Sequence, residues 1–250
     1  MGPTNRALAD EALAIIEAAG EAGLTVRLAG SAAFVVHCPS AERINERMGR
    51  RIVDVDLVTM GKTKAGAIEA LLGKRGYAPL AHHNIWHAET RQMFERPDGV
   101  HVDVFRDELN FCHPISLKNR LEADYPTIPL PELLLQKLQI VEINEKDLHD
   151  AAVLLLDHAS GGGKDELDAG FVAATLAADW GFWYTATTNL GRLRASAPVA
   201  FDGAERRRIE ERLDALEARI EREPKSSRWK LRARVGPRKR WYQEVEETHR

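Results

Sequence analysis

Apolar and polar positions in the first part of the chain alternate between helical and strand spacing. Residues 6–20 place leucine and isoleucine on one face and end at glycines, which predicts an amphipathic helix. Residues 25–30 predict a short strand that runs into a glycine, and the compact apolar segment 31–37 predicts a helix that opens directly after it. The polar segment 38–50 predicts a loop or a partial helix.

The middle of the chain has the two-residue period of strands. Residues 51–60 alternate and place acidic side chains on one face. A helix is predicted for residues 63–75. Further strands are predicted for residues 77–83, 90–96 and 100–106. The Asp98-Gly99 pair between the last two strands is a strong signal for a hairpin turn.

The pattern changes after residue 106. Three prolines between residues 126 and 131 indicate an extended linker, and helices are predicted beyond it. Those helices cover residues 131–143, 146–159, 166–195 and 204–222. We therefore predict an α/β domain over residues 1–125 and a helical domain over residues 126–250.

Composition narrows the class of protein. Hydrophobic residues make up 44% and charged residues 29%, which predicts a packed core rather than disorder. The net charge of -3 indicates no general affinity for nucleic acid. The chain has two cysteines, no signal-peptide pattern and no apolar run near the ~20 residues that span a bilayer, so we expect a soluble cytoplasmic protein.

Three acidic residues in predicted strands are the main candidates for chemistry. Asp54 and Asp56 project from the same face of their strand, and a divalent cation relieves the repulsion between such carboxylates. Oxygen ligands of this kind suit Mg²⁺ or Mn²⁺. Asp103 lies in a second apolar strand, and all three converge if the two strands pair. The alternative is a structural or solvated pair, the commoner role of an isolated Asp-x-Asp.

Gly30-Ser31 falls where a predicted strand passes into a predicted helix. Glycine permits close approach of the backbone, and the helix N-terminus presents N–H groups to an anion, so the turn is a candidate for phosphate binding. The alternative is that Ser31 simply caps the helix.

Together these segments resemble the DNA polymerase β-like nucleotidyltransferase superfamily. The matching segments are LAGS (28–31), VDVDL (53–57) and HVDVF (101–105). The helix after the linker resembles that of AbiEii-like and related minimal nucleotidyltransferases, with Lys137, Lys146 and Asp147 at the matching positions. The separation of 22 residues between Ser31 and Asp54 is longer than usual in the superfamily, and an insertion at 38–50 explains it.

The resemblance implies an α+β fold, with a nucleotidyltransferase-like mixed sheet, flanking helices and a C-terminal helical domain. It also implies a metal-dependent transfer of a nucleotidyl group from an NTP to an acceptor. Asp54 and Asp56 would bind Mg²⁺ or Mn²⁺, and Asp103 would complete the metal site and help activate the acceptor hydroxyl.

The same resemblance assigns nucleotide binding to five further residues. They are Gly30, Ser31, Lys137, Lys146 and Asp147. Lys137 is either a phosphate ligand or a plain helix lysine, and Lys146 and Asp147 are either functional or ordinary residues of a helix start. Two rival functions stay open, a non-catalytic nucleotide-binding module and a different metal-dependent phosphotransferase or hydrolase.

The segment 225–240 contains eight basic residues, no acidic residue and one tryptophan. Such a pattern could bind an RNA acceptor, with the cations on phosphates and the aromatic rings on bases. The alternative is a disordered basic tail, or a basic tail whose charges balance the acidic residues of 205–223. Related families include toxins with an antitoxin partner, and the resemblance extends that expectation to this chain.

Overall fold

The computed structural model describes residues 4–163, 165–196 and 200–245, without the side chains of residues 83, 86 and 196. The chain divides into two compact units. The first extends to Leu109 and also includes Ser116–Pro129. The second comprises Asn110–Ile115 and the chain from Leu130 onward.

The first unit is built on a five-stranded mixed sheet. Its strands are β1 (Val26–Ala29), β2 (Asp54–Thr59), β3 (Ala78–Pro79), β4 (Arg91–Glu95) and β5 (His101–Arg106), in the order β1-β2-β5-β4-β3. Strands β2 and β5 are parallel, and all other neighbours are antiparallel. The flanking helices are α1 (Asn5–Glu21), α2 (Gly30–His37), α3 (Ala41–Arg47), α4 (Ala65–Gly73) and α5 (Ala81–His87).

The strand periodicity of the sequence separates a core face from an acidic face. Val55, Leu57, Val102 and Val104 are at most 1% exposed and alternate with the acidic positions of β2 and β5. Burial of these branched side chains drives the pairing of the two strands.

The predicted strand 77–83 is wrong beyond its first residues. Strand β3 ends at Pro79, and helix α5 begins at Ala81. The Met93 carbonyl accepts from the Leu80 amide at 2.9 Å and from Asn84 Nδ2 at 3.0 Å, and Asn84 Oδ1 accepts from the Met93 amide at 2.8 Å. A buried side-chain amide thus continues the pairing of β4 where β3 ends.

A second, two-stranded sheet follows along the chain, and residues from Leu130 onward are mainly helical. Strands β6 (Glu108–Asn110) and β7 (Pro114–Ser116) form that two-stranded sheet. The helices that follow are α6 (Leu130–Leu138), α7 (Glu145–Asp157), α8 (Ala169–Ala178), α9 (Trp180–Ser196), α10 (Gly203–Arg222) and α11 (Ser227–Val235), with a 3₁₀ turn at Gly236–Arg238. The predicted α+β class, a mixed sheet with flanking helices followed by a helical region, is confirmed.

Two predictions for the helical region need correction. The single helix expected at 166–195 is two helices, because Asp179 interrupts it and its Oδ1 accepts from the Phe182 amide at 2.7 Å at the start of α9. The disordered-tail alternative is wrong for residues 227–235, which form α11 with Ser226 as its N-cap. None of the helices in the described parts of the chain is long and apolar enough to cross a membrane.

The second unit contains a buried histidine with a consequence for stability. Burial lowers the pKa of His113 from 6.5 to about 4. The unfolded chain therefore binds a proton between about pH 6.5 and 4 that the folded chain does not bind. Over that window we expect stability to fall as the pH falls, by about 2–3 kcal/mol in total.

Urea unfolding at pH 7.5, 6, 5 and 4.5 measures this loss. His113→Gln cannot titrate there, so its unfolding free energy should depend less on pH than that of the wild type. Equal slopes in the two proteins would contradict the assignment.

Candidate active site

The register of β2 and β5 brings acidic positions side by side. The parallel pairing aligns Asp56 with Asp103, and Asp54 with His101. Aligned residues of parallel neighbours project from the same face, as do residues two apart along one strand. Asp54, Asp56 and Asp103 therefore lie on one face of the sheet. Asp54 and Asp56 are half-buried, whereas Asp103 is only 2% exposed.

The glycine at the end of β1 lies directly against one of these acids. Ala29 is aligned with Asp56, and Gly30 follows with φ +62°, a conformation that favours glycine. A β-carbon at residue 30 would lie 2.8 Å from Cγ and 2.9 Å from Cβ of Asp56, closer than real β-carbons approach. The absent side chain thus leaves the space that the Asp56 side chain occupies beside the start of α2.

Ser31 is held by an arginine rather than acting as a cap. Helix α2 begins at Gly30, and its N-cap Ala29 makes no side-chain capping bond, so the capping alternative for Ser31 is wrong. Arg50 Nη2 donates to Ser31 Oγ at 2.8 Å. This contact places a guanidinium at the N-terminal turn of α2, where the helix dipole also favours an anion.

Arg50 comes from the segment that was expected to be an insertion. That segment contains α3, and its end is fixed by the first residue of α1. Asn5 Nδ2 donates to the Arg50 carbonyl at 2.9 Å, and Asn5 Oδ1 accepts from the Ile52 amide at 2.8 Å. The sequence did carry a signal for this residue, because four arginines stand at 43, 47, 50 and 51, immediately before Asp54.

The third acid forms an ion pair with an arginine of the neighbouring strand. Arg91 Nη2 lies 2.5 Å from Asp103 Oδ2, and the guanidinium carbon lies 5.0 Å from the centre of the Phe105 ring. Met93 is aligned with Asp103, so Arg91, two residues away on β4, projects from the same face and reaches the carboxylate diagonally. A charge-assisted bond of this length neutralises much of the negative charge at Asp103.

The donor atoms at the site are of the type that a divalent cation prefers, but their positions do not form a metal site. Carboxylate oxygens suit Mg²⁺ or Mn²⁺, and the Gly30 cradle leaves room for the Asp56 carboxylate beside the helix terminus. In the described ranges, however, no three acidic, histidine or cysteine side chains are grouped closely enough to hold a metal ion.

The remaining predicted residues belong to the second unit. Lys137 Nζ lies 2.8 Å from Asp147 Oδ1 and 2.9 Å from Asp150 Oδ2. Burial alone would lower the pKa of Lys137, but the charges of Asp150 and Asp147 outweigh it and raise the pKa. Lys146 is exposed in the first turn of α7, where Asn144 is the N-cap.

Comparison with solved structures gives distant similarities. The chain is similar to the solution structure of the antibiotic-resistance factor ANT(2'')-Ia, a nucleotidyltransferase, at 14% identity and a TM-score of 0.36. The similarity covers 72% of this chain and 90% of that one. No protein-family model matches the chain, and no curated protein matches it significantly. A similarity of this size assigns no activity, so a function must come from the geometry of the site.

Proposed function

We propose that the chain transfers a nucleotidyl group from an NTP to an acceptor hydroxyl in a metal-dependent reaction. The observation that carries this proposal is the alignment of Asp56 with Asp103 on parallel strands, next to a glycine turn with positive φ. A sheet that only needed to fold would gain nothing from setting these carboxylates side by side.

The acids divide the chemistry between them. Asp54 and Asp56 would hold Mg²⁺ or Mn²⁺, which when bound supplies positive charge to the phosphate oxygens. The acceptor oxygen attacks the α-phosphorus, the bond from that phosphorus to the leaving pyrophosphate breaks, and the hydroxyl proton goes to a base. Asp103 is the candidate base, and its ion pair with Arg91 must open for it to accept the proton.

The turn at the start of α2 would bind the triphosphate. Gly30 allows close approach of the backbone, and Ser31 and Arg50 offer a hydroxyl and a guanidinium at the same helix terminus. By the resemblance to related enzymes, Lys137, Lys146 and Asp147 would add contacts to the nucleotide. The positive charge of Lys137 is already neutralised by two carboxylates, so a phosphate would have to compete with them for this side chain.

One observation favours a second candidate, a nucleotide-binding module without catalysis. An arginine already neutralises Asp103, and a module that binds nucleotide without metal chemistry would keep that pair closed. In this case the Gly30 turn and Arg50 would still bind phosphate, and the protein would report on nucleotide concentration.

The released product distinguishes these functions. The full chain is incubated with each α-labelled NTP and with total cellular RNA, protein and metabolites, with and without Mg²⁺ or Mn²⁺. We expect metal-dependent release of pyrophosphate and label on one acceptor class. Release of inorganic phosphate would indicate a phosphotransferase or hydrolase instead, and nucleotide binding without metal dependence or turnover would indicate the regulatory module.

The finer parts of the proposal concern the acceptor and the partners. RNA is the acceptor class that we propose, because of the basic segment 225–240. A toxin-like activity with an antitoxin partner follows from the resemblance to AbiEii-like proteins alone, and in the labelling experiment it would show as modification of one dominant cellular RNA or protein.

A further inference from the structure

The second unit contains a hollow of about 650 Å³ whose lining combines arginines and aromatic rings. It lies between the start of α9, helix α11 and the segment 240–243, with residues 112–114 also at its wall. Hollows of this volume are in the range that binds small ligands and single nucleotides. The carboxylates of the sheet do not contribute to it, but its arginines belong to the basic segment 225–240, so the inference deepens the RNA contact proposed for that segment.

The aromatic part of the lining is fixed in place by contacts of its own. Trp241 Nε1 donates to Thr185 Oγ1 at 3.0 Å, and the Tyr184 ring meets the Trp241 ring edge-on with centres 5.1 Å apart. The Gln243 amide donates to the Cys112 carbonyl at 3.0 Å, which anchors the segment beyond Trp241. Rings that are ordered before a ligand arrives lose little conformational entropy when one stacks on them.

A buried histidine completes this support. Thr185 Oγ1 lies 2.9 Å from His113 Nε2, and burial lowers the pKa of His113 to about 4. The neutral imidazole is hydrogen-bonded to the Thr185 hydroxyl, which also accepts from Trp241 Nε1. The chain of two hydrogen bonds fixes the orientation of the Trp241 ring at the wall of the hollow.

The charges at the lining favour an anion. Three arginines, at 228, 232 and 240, face a single acid, Asp179, whose Oδ1 already accepts from the Phe182 amide. Arg232 holds the fold of the segment, since it donates to the Gly236 and Lys239 carbonyls at 2.7 and 2.8 Å and stacks over Trp180 at 4.4 Å.

The other two arginines are placed to meet a ligand. Arg228 is exposed at the edge of the hollow, and no described residue pairs with it. Arg240 pairs at 2.6 Å with Glu244, but both side chains are more than 60% exposed, so water weakens this ion pair. An incoming anion therefore meets two exposed guanidinium groups, neither of which is held by a strong ion pair.

We propose that this hollow binds a nucleotide, with its base against the aromatic rings and its phosphate at Arg228 and Arg240. Flat rings beside guanidinium groups suit a ligand that is both planar and anionic, and this combination is typical of single-stranded nucleic-acid sites. An acidic peptide would use the arginines but gain nothing from the rings. The binding does not depend on transferase activity, so the two proposals fail separately.

Fluorescence anisotropy of an end-labelled eight-nucleotide RNA, titrated with the full chain at 150 mM NaCl, tests the proposal. We expect saturable binding that Arg228→Glu weakens about tenfold or more, because that change reverses the charge at a phosphate contact. The matched control is Arg207→Glu, which reverses an exposed charge on α10, outside both the hollow and the basic segment 225–240, and should change the dissociation constant less than about threefold.

Competition identifies the class of ligand. Displacement by unlabelled RNA but only weakly by AMP assigns the site to single-stranded nucleic acid, and equally strong displacement by AMP assigns it to free mononucleotide; both outcomes support a nucleotide. Equal displacement by an oligoglutamate peptide would overturn it. So would the absence of binding, or an equal loss in Arg228→Glu and Arg207→Glu when melting temperatures show both variants to be folded.

Discussion

Replacing Asp56 with asparagine is expected to reduce pyrophosphate release by about a thousandfold or more, which corresponds to about 4 kcal/mol of transition-state stabilisation. The amide is neutral and a poor ligand for Mg²⁺, but it has nearly the same size, so it fits the space left by Gly30. The melting temperature should therefore change little. Initial rates under saturating NTP and metal measure the effect.

The matched control removes a carboxylate that has no part in the site. Asp10 is exposed on α1 and pairs only along its own helix with Arg6. Asp10→Asn should keep nearly full activity, since exposed pairs of this kind contribute little. If Asp56→Asn also keeps more than about a third of the wild-type rate, the carboxylates of β2 are not the catalytic group.

Replacing Lys137 with methionine is expected to lower the free energy of unfolding by about 3–5 kcal/mol. Lys137 is 5% exposed and lies within 3 Å of two carboxylates that are themselves largely buried. Methionine has a similar length but no charge, so Asp147 and Asp150 would be left near each other without a cation. Denaturant unfolding of the full chain measures the change.

A compensated variant separates charge from shape. Lys137→Met combined with Asp147→Asn and Asp150→Asn removes all three charges and should recover a large part of the lost stability. A loss below about 1 kcal/mol in the single variant would contradict the buried ion-pair role. At temperatures where the single variant is folded, a nucleotide dissociation constant raised tenfold or more would support the phosphate contact, and an unchanged one would leave Lys137 a structural role only.

Local patterns in the sequence predicted most elements of the first unit. The strand before Gly30, the helix after it and the Asp98-Gly99 hairpin between β4 and β5 all depend on residues close in sequence. Segment 77–83 failed because its role is decided at a distance, where the Asn84 side chain bonds to the Met93 backbone. The α11 helix was missed as well. The basic residues of this segment repel one another, but its tryptophan packs near α9 and stabilises the helix.

The acidic residues of the candidate site could be predicted from the sequence, whereas the contacts of its arginines could not. Asp54, Asp56 and Asp103 interrupt apolar strands, a pattern visible without any structure. Arg91 looks like an ordinary charged residue until its partner Asp103 is known, and the arginine-rich run before Asp54 does not show that Arg50 contacts Ser31. Both contacts cross between separate elements, and no spacing along the chain encodes them.

Because Asp56 is aligned with Asp103, the register of β2 matters more for the site than the identity of many side chains around it. A shift of β2 by one residue in its register against β1 and β5 would turn both of its acids toward the apolar interior. A shift by two residues would return them to the correct face but displace them along the sheet by about 7 Å. Divergent copies of this gene should therefore tolerate many substitutions around these strands, yet keep their spacing within each strand unchanged.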